Sequence, residues 1–329
     1  MPDLYDVAAI GNAIVDVIAP ATDAFLAAEG LEKGAMTLID TAQAEALYAR
    51  MASAVEASGG SAANTVAGVA SLGGRGAYMG KVADDQLGEV FAHDTRAIGV
   101  HYATPPLRGG PATARSMINV TPDAQRTMCT YLGASTELGP DDVEPAVIEA
   151  SKIVYLEGYL FDPYEARRAF AKAAALAHGS GRRIALTLSD AFVVERHRAA
   201  LLEFVETQVD IVFANEAELL SLFQTADFDA AVAAIRGRRL IAAVTRSAKG
   251  SIVVRGDEAH EVDAFPVEKV VDTTGAGDQY AAGFLHALAQ DKPLPYCGRL
   301  GSLAAAEVIS HYGPRPQVSL KDLAAANGL

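Results

Sequence analysis

Tryptophan is absent from this chain, cysteine occurs twice, and bases are outnumbered by acids, 27 to 41. Each scarcity excludes something. Cys129 and Cys297 are too few and too far apart for a disulfide framework or a metal motif, and are expected to be reduced, buried thiols. A net charge of −14 repels phosphate backbones and anionic bilayers, so neither nucleic acid nor a membrane surface is an expected partner. Long apolar runs are also missing. VAAIGNAIVDVIAPA near the start is interrupted by Asn12 and Asp16 and lacks a positive leader, so it reads neither as a signal peptide nor as a span, and the cytoplasm is the expected compartment. There is no GxxxxGK[ST], no HRD or DFG set, and no HExxH or CxxC, which removes P-loop enzymes, protein kinases and metallohydrolases.

What is present is apolar and aliphatic. Half of the 329 residues are hydrophobic and only 7% are aromatic, which suits helices packed on a sheet. YDVAAI (5–10) reads as a buried strand and MTLID (36–40) as a second. TAQAEALYARMAS (41–53) is helical, with Thr41 as its cap, and 59–74 is a second helix capped by Ser61 and stopped by Gly73-Gly74. From 100 to 132 short β-rich runs flank Pro122-Asp123, a hairpin signal. After residue 150 strands alternate with helices: KIVYLEGYL, RRIALTLSD, VDIVFAN and LIAAVTR are separated by Ala- and Leu-rich segments. That alternation predicts βαβ crossovers and an α/β, doubly wound, mostly parallel sheet with helices on both faces. The expectation is one domain over 1–329, with a small separate β-sheet from segments near 12–40 and 100–132.

The stretch with most chemical content is VVDTTGAGDQYAAGFLHAL (270–288). Gly275 and Gly277 strip side chains from a turn, and the helix that follows offers free N–H groups and a positive dipole end. Asp278 stands in that first turn. Either it is an ordinary dipole-favourable acid, or it accepts a proton from a hydroxyl attacking a phosphate bound beside it.

The full string closely resembles the C-terminal signature of the ribokinase-like carbohydrate kinases, the PfkB family. GGSAANTVAGVASLGGRGAYMGKVADDQLGEVF (59–91) resembles the N-terminal signature, and NEAE (215–218) and VTRSAKGS (244–251) fall between them in the family's order. The resemblance covers nearly the whole chain. It implies a ribokinase-like fold whose small sheet is a lid, and ATP-dependent phosphorylation of a primary hydroxyl on a sugar or nucleoside. Asp278 is then the base, and the backbone of Gly275, Ala276 and Gly277 the anion hole. Asp16, Gly59, Gly60, Asn64 and Glu157 fall on the substrate side. Asn215, Glu218, Thr245, Ser247 and Gly250 fall on the nucleotide side, with Glu218 acting on Mg²⁺ through water.

Asp272 and Thr274 resemble positions that hold a monovalent cation, so ATP and Mg²⁺ are the implied cofactors and K⁺ a further candidate. Each residue also has a plainer reading: a helix start for Gly59, Gly60 and Asn64, a strand-end acid for Glu157, a turn acid for Asp272, and a helix cap for Asn215 and Glu218. Ser247 stands where relatives usually carry glycine. Gln279-Tyr280 and His311-Tyr312 depart from the family pattern, and His311 reads as a half-exposed surface residue. An adenosine-kinase-like nucleoside enzyme is favoured. Ribokinase, fructokinase and 2-keto-3-deoxygluconate kinase activities are the alternatives, as is an idle sugar or nucleoside sensor, which the intact Asp278 opposes. Monomer and homodimer are both compatible with the sequence.

Overall fold

In the computed structural model, which describes residues 4–123 and 125–329, the chain forms two sheets. The strands in chain order are β1 (Tyr5–Ile10), β2 (Ile14–Pro20), β3 (Met36–Leu38), β4 (Val55–Gly59), β5 (Gly76–Met79), β6 (His101–Tyr102), β7 (Ala114–Val120), β8 (Arg126–Tyr131), β9 (Ser151–Glu157), β10 (Arg183–Thr187), β11 (Ile211–Asn215), β12 (Ile241–Thr245), β13 (Ser251–Arg255) and β14 (Glu258–Val262). The larger sheet runs β14-β13-β12-β11-β10-β9-β1-β5-β6. It is parallel from β6 to β12 and ends in the antiparallel β12-β13-β14 meander. This is the mostly parallel, doubly wound α/β arrangement that the alternation predicts.

Strand β1 shows why it stands at the centre. Val7 and Ala9 enter one core with the helices Ser61–Ser71, Ala276–Ala289 and Leu294–Val308. Ala8 and Ile10 enter the other, with the helices Tyr164–Gly179 and Ala191–Gln208. A strand apolar on both faces is what a sheet covered by helices on both sides requires. The helix Ala276–Ala289 is buried from Gln279 onward. Gly283 lets it approach the next helix, since a Cβ there would lie 2.5 Å from the Leu300 carbonyl.

The second sheet runs β3-β8-β7-β2-β4. The hairpin around Pro122-Asp123 is its β7-β8 pair. Its outer face packs Met117, Cys129 and Tyr131 on Ala44 and Leu47 of the helix Thr41–Tyr48. Residues 55–58, which carry no expectation from sequence, form with Gly59 an edge strand, VEASG, although its Glu, Ala and Gly carry no strand signal. Two local expectations need correction. His101–Tyr102 pairs with β5 in the larger sheet, so the later segment of the small sheet starts at Ala114 rather than near 100. The helix expected over 41–53 ends at Tyr48 and is capped by Asp40, not Thr41, because Asp40 and Gln43 close a reciprocal capping box.

Candidate active site

Two helices begin beside each other at the carboxyl ends of the central strands, and both start on a glycine in the left-handed region: Gly60 (φ 93°) before Ser61–Ser71, and Gly275 (φ 78°) before Ala276–Ala289. Neither start carries a side-chain cap. Ser61 therefore is not the cap expected from sequence. Its Oγ instead donates to Asp278 Oδ1 at 2.6 Å, while Asn64 Nδ2 donates to Asp278 Oδ2 at 3.1 Å. Asn64 Oδ1 accepts from Arg315 Nε at 3.2 Å. A carboxylate needs a donor and a guanidinium an acceptor, which fixes the Asn64 amide orientation. Burial pushes the Asp278 carboxyl above its usual range, against these two hydrogen bonds and the charge of Arg315. At the same helix start, the N–H groups of Gly277 and Asp278 have no acceptor among the described residues.

The other acids divide by how they are satisfied. Glu157 is 1% exposed and fully engaged: Asn12 Nδ2 donates to Oε1 at 2.8 Å and Ala62 N to Oε2 at 2.9 Å. Burial still raises its pKa to about 7. Glu157 thus holds the Ser61–Ser71 helix start. Asp16 on β2 is also buried, yet no donor among the described residues bonds its carboxylate. Burial lifts it to about 6, opposed by the charges of Arg315 and Arg126 and assisted by Asp278. Gly59 makes room for it, because a Cβ at 59 would lie 2.5 Å from Asp16 Oδ2. Gly60 could carry no side chain without striking the Asn12 carbonyl.

Across the Gly275 turn lies a cleft of 570 Å³, lined by Thr245, Ser247, Gly250, Thr273, Ala276 and Gly277 together with the apolar Phe265, Val267, Val270 and Ile309. Ser247 takes a left-handed φ of 52°, a conformation that only a glycine adopts without strain. Asn215 and Glu218 do not line this cleft. They adjoin it through the Asn215↔Thr245 register and form a capping box, with Asn215 N donating to Glu218 Oε2 at 3.0 Å and Asn215 Nδ2 to Oε1 at 2.6 Å. Burial raises the Glu218 pKa to about 7. Each Glu218 oxygen keeps a second lone pair, so the carboxylate fits a water-mediated Mg²⁺ contact rather than direct ligation. Among the described residues no cluster of three or more His, Cys, Asp or Glu could hold a metal by itself.

Asp272 and Thr274 do not fit a monovalent cation as they stand. The buried Arg126 guanidinium lies 3.0 Å from Asp272 Oδ2 and 3.2 Å from Thr274 Oγ1, and Asp272 also accepts from Thr274 N and Gly313 N, each at 3.0 Å. Arg126 and Arg315 are the residues that sequence reasoning passed over. Their only signal was a lone arginine in RTMCTYL and in GPRP. Gln279 is a brace: its Nε2 donates to Asn64 O at 2.9 Å and to Pro314 O at 3.0 Å. Tyr280 anchors the neighbouring wall through Ser251 Oγ at 2.8 Å. His311 is partly exposed, as expected, but it is not idle. Its ring contacts Glu307 Oε1 at 3.0 Å and Tyr312 O at 3.1 Å, tying down the loop that carries Arg315.

The chain is 57% identical to an adenosine kinase from Sinorhizobium meliloti of solved structure, over 98% of this chain and 99% of that one, with a TM-score of 0.92. It is 52% identical to a probable sugar kinase from Rhizobium etli, over 99% of both chains, with a TM-score of 0.93. An adenosine kinase from Saccharomyces cerevisiae is 26% identical over 93% of this chain and 95% of its own length. The model of the pfkB family carbohydrate kinases matches residues 6–320. With that match over nearly its whole length, and with two glycine-started helices meeting at one shared aspartate, the chain belongs to the pfkB family of carbohydrate kinases and is a kinase.

Proposed function

We propose that this kinase phosphorylates the primary hydroxyl of a ribose-containing nucleoside, using ATP and Mg²⁺ in the cytoplasm. One observation carries the choice of nucleoside over free sugar. Cross-strand register puts Asp16, Ser116, Thr130 and Leu38 in one row of the small sheet, and Ile18, Ile118, Met128 and Met36 in the next, all on one face. Leu38 and Met36 on that face are 53% and 47% exposed. A free sugar offers such a surface little to bury, whereas the flat base of a nucleoside covers it and leaves the ribose hydroxyls to Asp16. The 57% identity to the Sinorhizobium meliloti adenosine kinase supports the same reading.

In this reading Asp16, Gly60 and Asn64 hold the ribose, with Glu157 acting one step back by fixing the helix start. Asp278 takes the proton of the attacking hydroxyl, and the free N–H groups of Gly277 and Asp278 receive the charge that develops on the transferring phosphoryl group. Mg²⁺, when bound, neutralises phosphate charge, with Glu218 as its water-mediated partner. At Asp272 and Thr274 the positive charge is that of Arg126, so K⁺ is not required there. The small sheet acts as a lid that excludes water from the transfer. The test is a panel of nucleosides, ribose, fructose and 2-keto-3-deoxygluconate with ATP and Mg²⁺, read by ADP release. A nucleoside should turn over with the highest kcat/KM, and Leu38→Ser should raise its KM about fivefold, since part of a leucine's 1.5–3 kcal/mol of burial is lost. Preferential turnover of a free sugar, unaffected by Leu38→Ser, would transfer the assignment to the sugar kinases.

A further inference from the structure

Arg315 comes from the loop after the helix Leu294–Val308; it is half-buried, and its bonds are unusual for a cation drawn in from water. Its Nε donates to Asn64 Oδ1 at 3.2 Å and its Nη1 to Ser58 Oγ at 2.6 Å, both neutral partners. Nη2 is shut off from solvent with no partner among the described residues. No carboxylate of the described residues lies within ion-pair distance of it. A buried charge without a direct counter-ion is costly, and an arginine serving only as a tie would be better placed against an acid. The groups that face it come from four elements: Asp16 of β2, Tyr78 of β5, Asp94 of the helix Gln86–Ala97 and Asp278 of the helix Ala276–Ala289. Asp278 in turn faces Asp16 and Glu157, and Arg126 of β8 reaches Asp16.

We infer that Arg315 is a positioning residue for the proton acceptor: it holds the Asn64 amide with Nδ2 toward Asp278, and supplies the one positive charge shared by Asp278 and Asp16. The inference rests on the reading of Asp278 as the base. A carboxyl at Asp278 could meet either end of the Asn64 amide, accepting from Nδ2 when ionised or donating to Oδ1 when protonated, but Arg315 can only donate and so always takes Oδ1. Arg315 therefore decides that the base meets a donor rather than a second acceptor. Its charge acts in the same sense, favouring the ionised carboxylate that can take a proton.

The experiment compares Arg315→Gln, Arg315→Lys and Asp278→Asn in the full chain, with the acceptor turned over fastest in the panel above. Arg315→Gln should lower kcat about tenfold or more and move the acid limb of kcat/KM to higher pH by about one unit. Arg315→Lys keeps the charge but cannot reach Asn64 and Ser58 together, so it should lower kcat while leaving the acid limb in place. A merely structural arginine would lower Tm in both variants and move neither limb, and that result overturns the inference. If Arg315→Gln does not fold, an Arg315→Lys protein with unchanged kcat overturns it equally. Asp278→Asn separates the two levels. An active Asp278→Asn enzyme refutes the base and this inference with it, whereas an inactive one beside an unmoved Arg315→Gln limb refutes the role of Arg315 alone.

Discussion

The two helix starts that meet at Asp278 are built alike and finished differently. Both open on a left-handed glycine, both lack a side-chain cap, and both point their positive ends at the same space. At Ser61–Ser71 the chain supplies its own anion, with Glu157 accepting from Ala62 N. At Ala276–Ala289 the N–H groups of Gly277 and Asp278 have no such partner among the described residues. A filled helix start is a fixed wall, and an open one is a receptor for negative charge. The same backbone device is thus closed by the chain's own carboxylate in one helix and left open in the other, and the difference lies in one buried glutamate.

The comparison is most sharply tested at the residue the helices share. Asp278→Asn should lower kcat by about a thousandfold, within the range of general base catalysis, while calorimetric binding of the acceptor stays close to wild type. Near-normal turnover would leave the open helix start without a base. A smaller split is expected between the glycines. Gly275→Ala forces a left-handed residue to accept a Cβ 2.6 Å from the Pro314 carbonyl, and should lower kcat about tenfold by shifting the N–H groups, with KM for the acceptor little changed. Gly60→Ala strikes the Asn12 carbonyl and should instead lower Tm and raise KM. Reversed outcomes would mean that the roles of the two starts are exchanged.

The mildest test concerns the filled start. Glu157→Gln presents an NH₂ to the Ala62 or Asn12 donors and should cost about 1–3 kcal/mol in denaturant unfolding. It also changes the pH dependence. Glu157 titrates near 7 in the fold against an ordinary 4.5, so its stabilising contribution is complete below 4.5 and is lost as pH rises through 7. Removing that titration should flatten the decline of stability between pH 4.5 and 7. Glu218, also near 7, and Asp16, near 6, keep it from vanishing. An unaltered pH slope would show that Glu157 is not the buried anion of this helix start.

The alternation of strands and helices after residue 150 made the large sheet legible, since each crossover must return to a parallel neighbour. The glycine turns made the two helix starts legible, because a left-handed backbone demands them. The small-sheet edge β4 was not legible, because VEASG owes its strand conformation to pairing with β2, not to its own propensities. Arg126 and Arg315 were hidden for another reason. An arginine reads as a surface residue until its partners are known, and both find theirs more than a hundred residues away. Ser61 was misread because a serine beside a glycine at a helix start looks like a cap, while its hydroxyl is drawn to a carboxylate from the far end of the chain.

Gln279 carries a consequence for how this protein can be altered. Its amide crosses to the neighbouring helix, and a Cβ at Gly68 would lie on Gln279 Oε1, so the glycine is what leaves the amide its place. Positions 68 and 279 are therefore a single steric unit. A chimera that imports the second helix from a relative with a small residue at 279 leaves Asn64 O and Pro314 O without their donor. One that imports the first helix with a larger residue at 68 drives the brace out. Segments of this enzyme can be exchanged only as a matched pair, although the sequence separates them by most of its length.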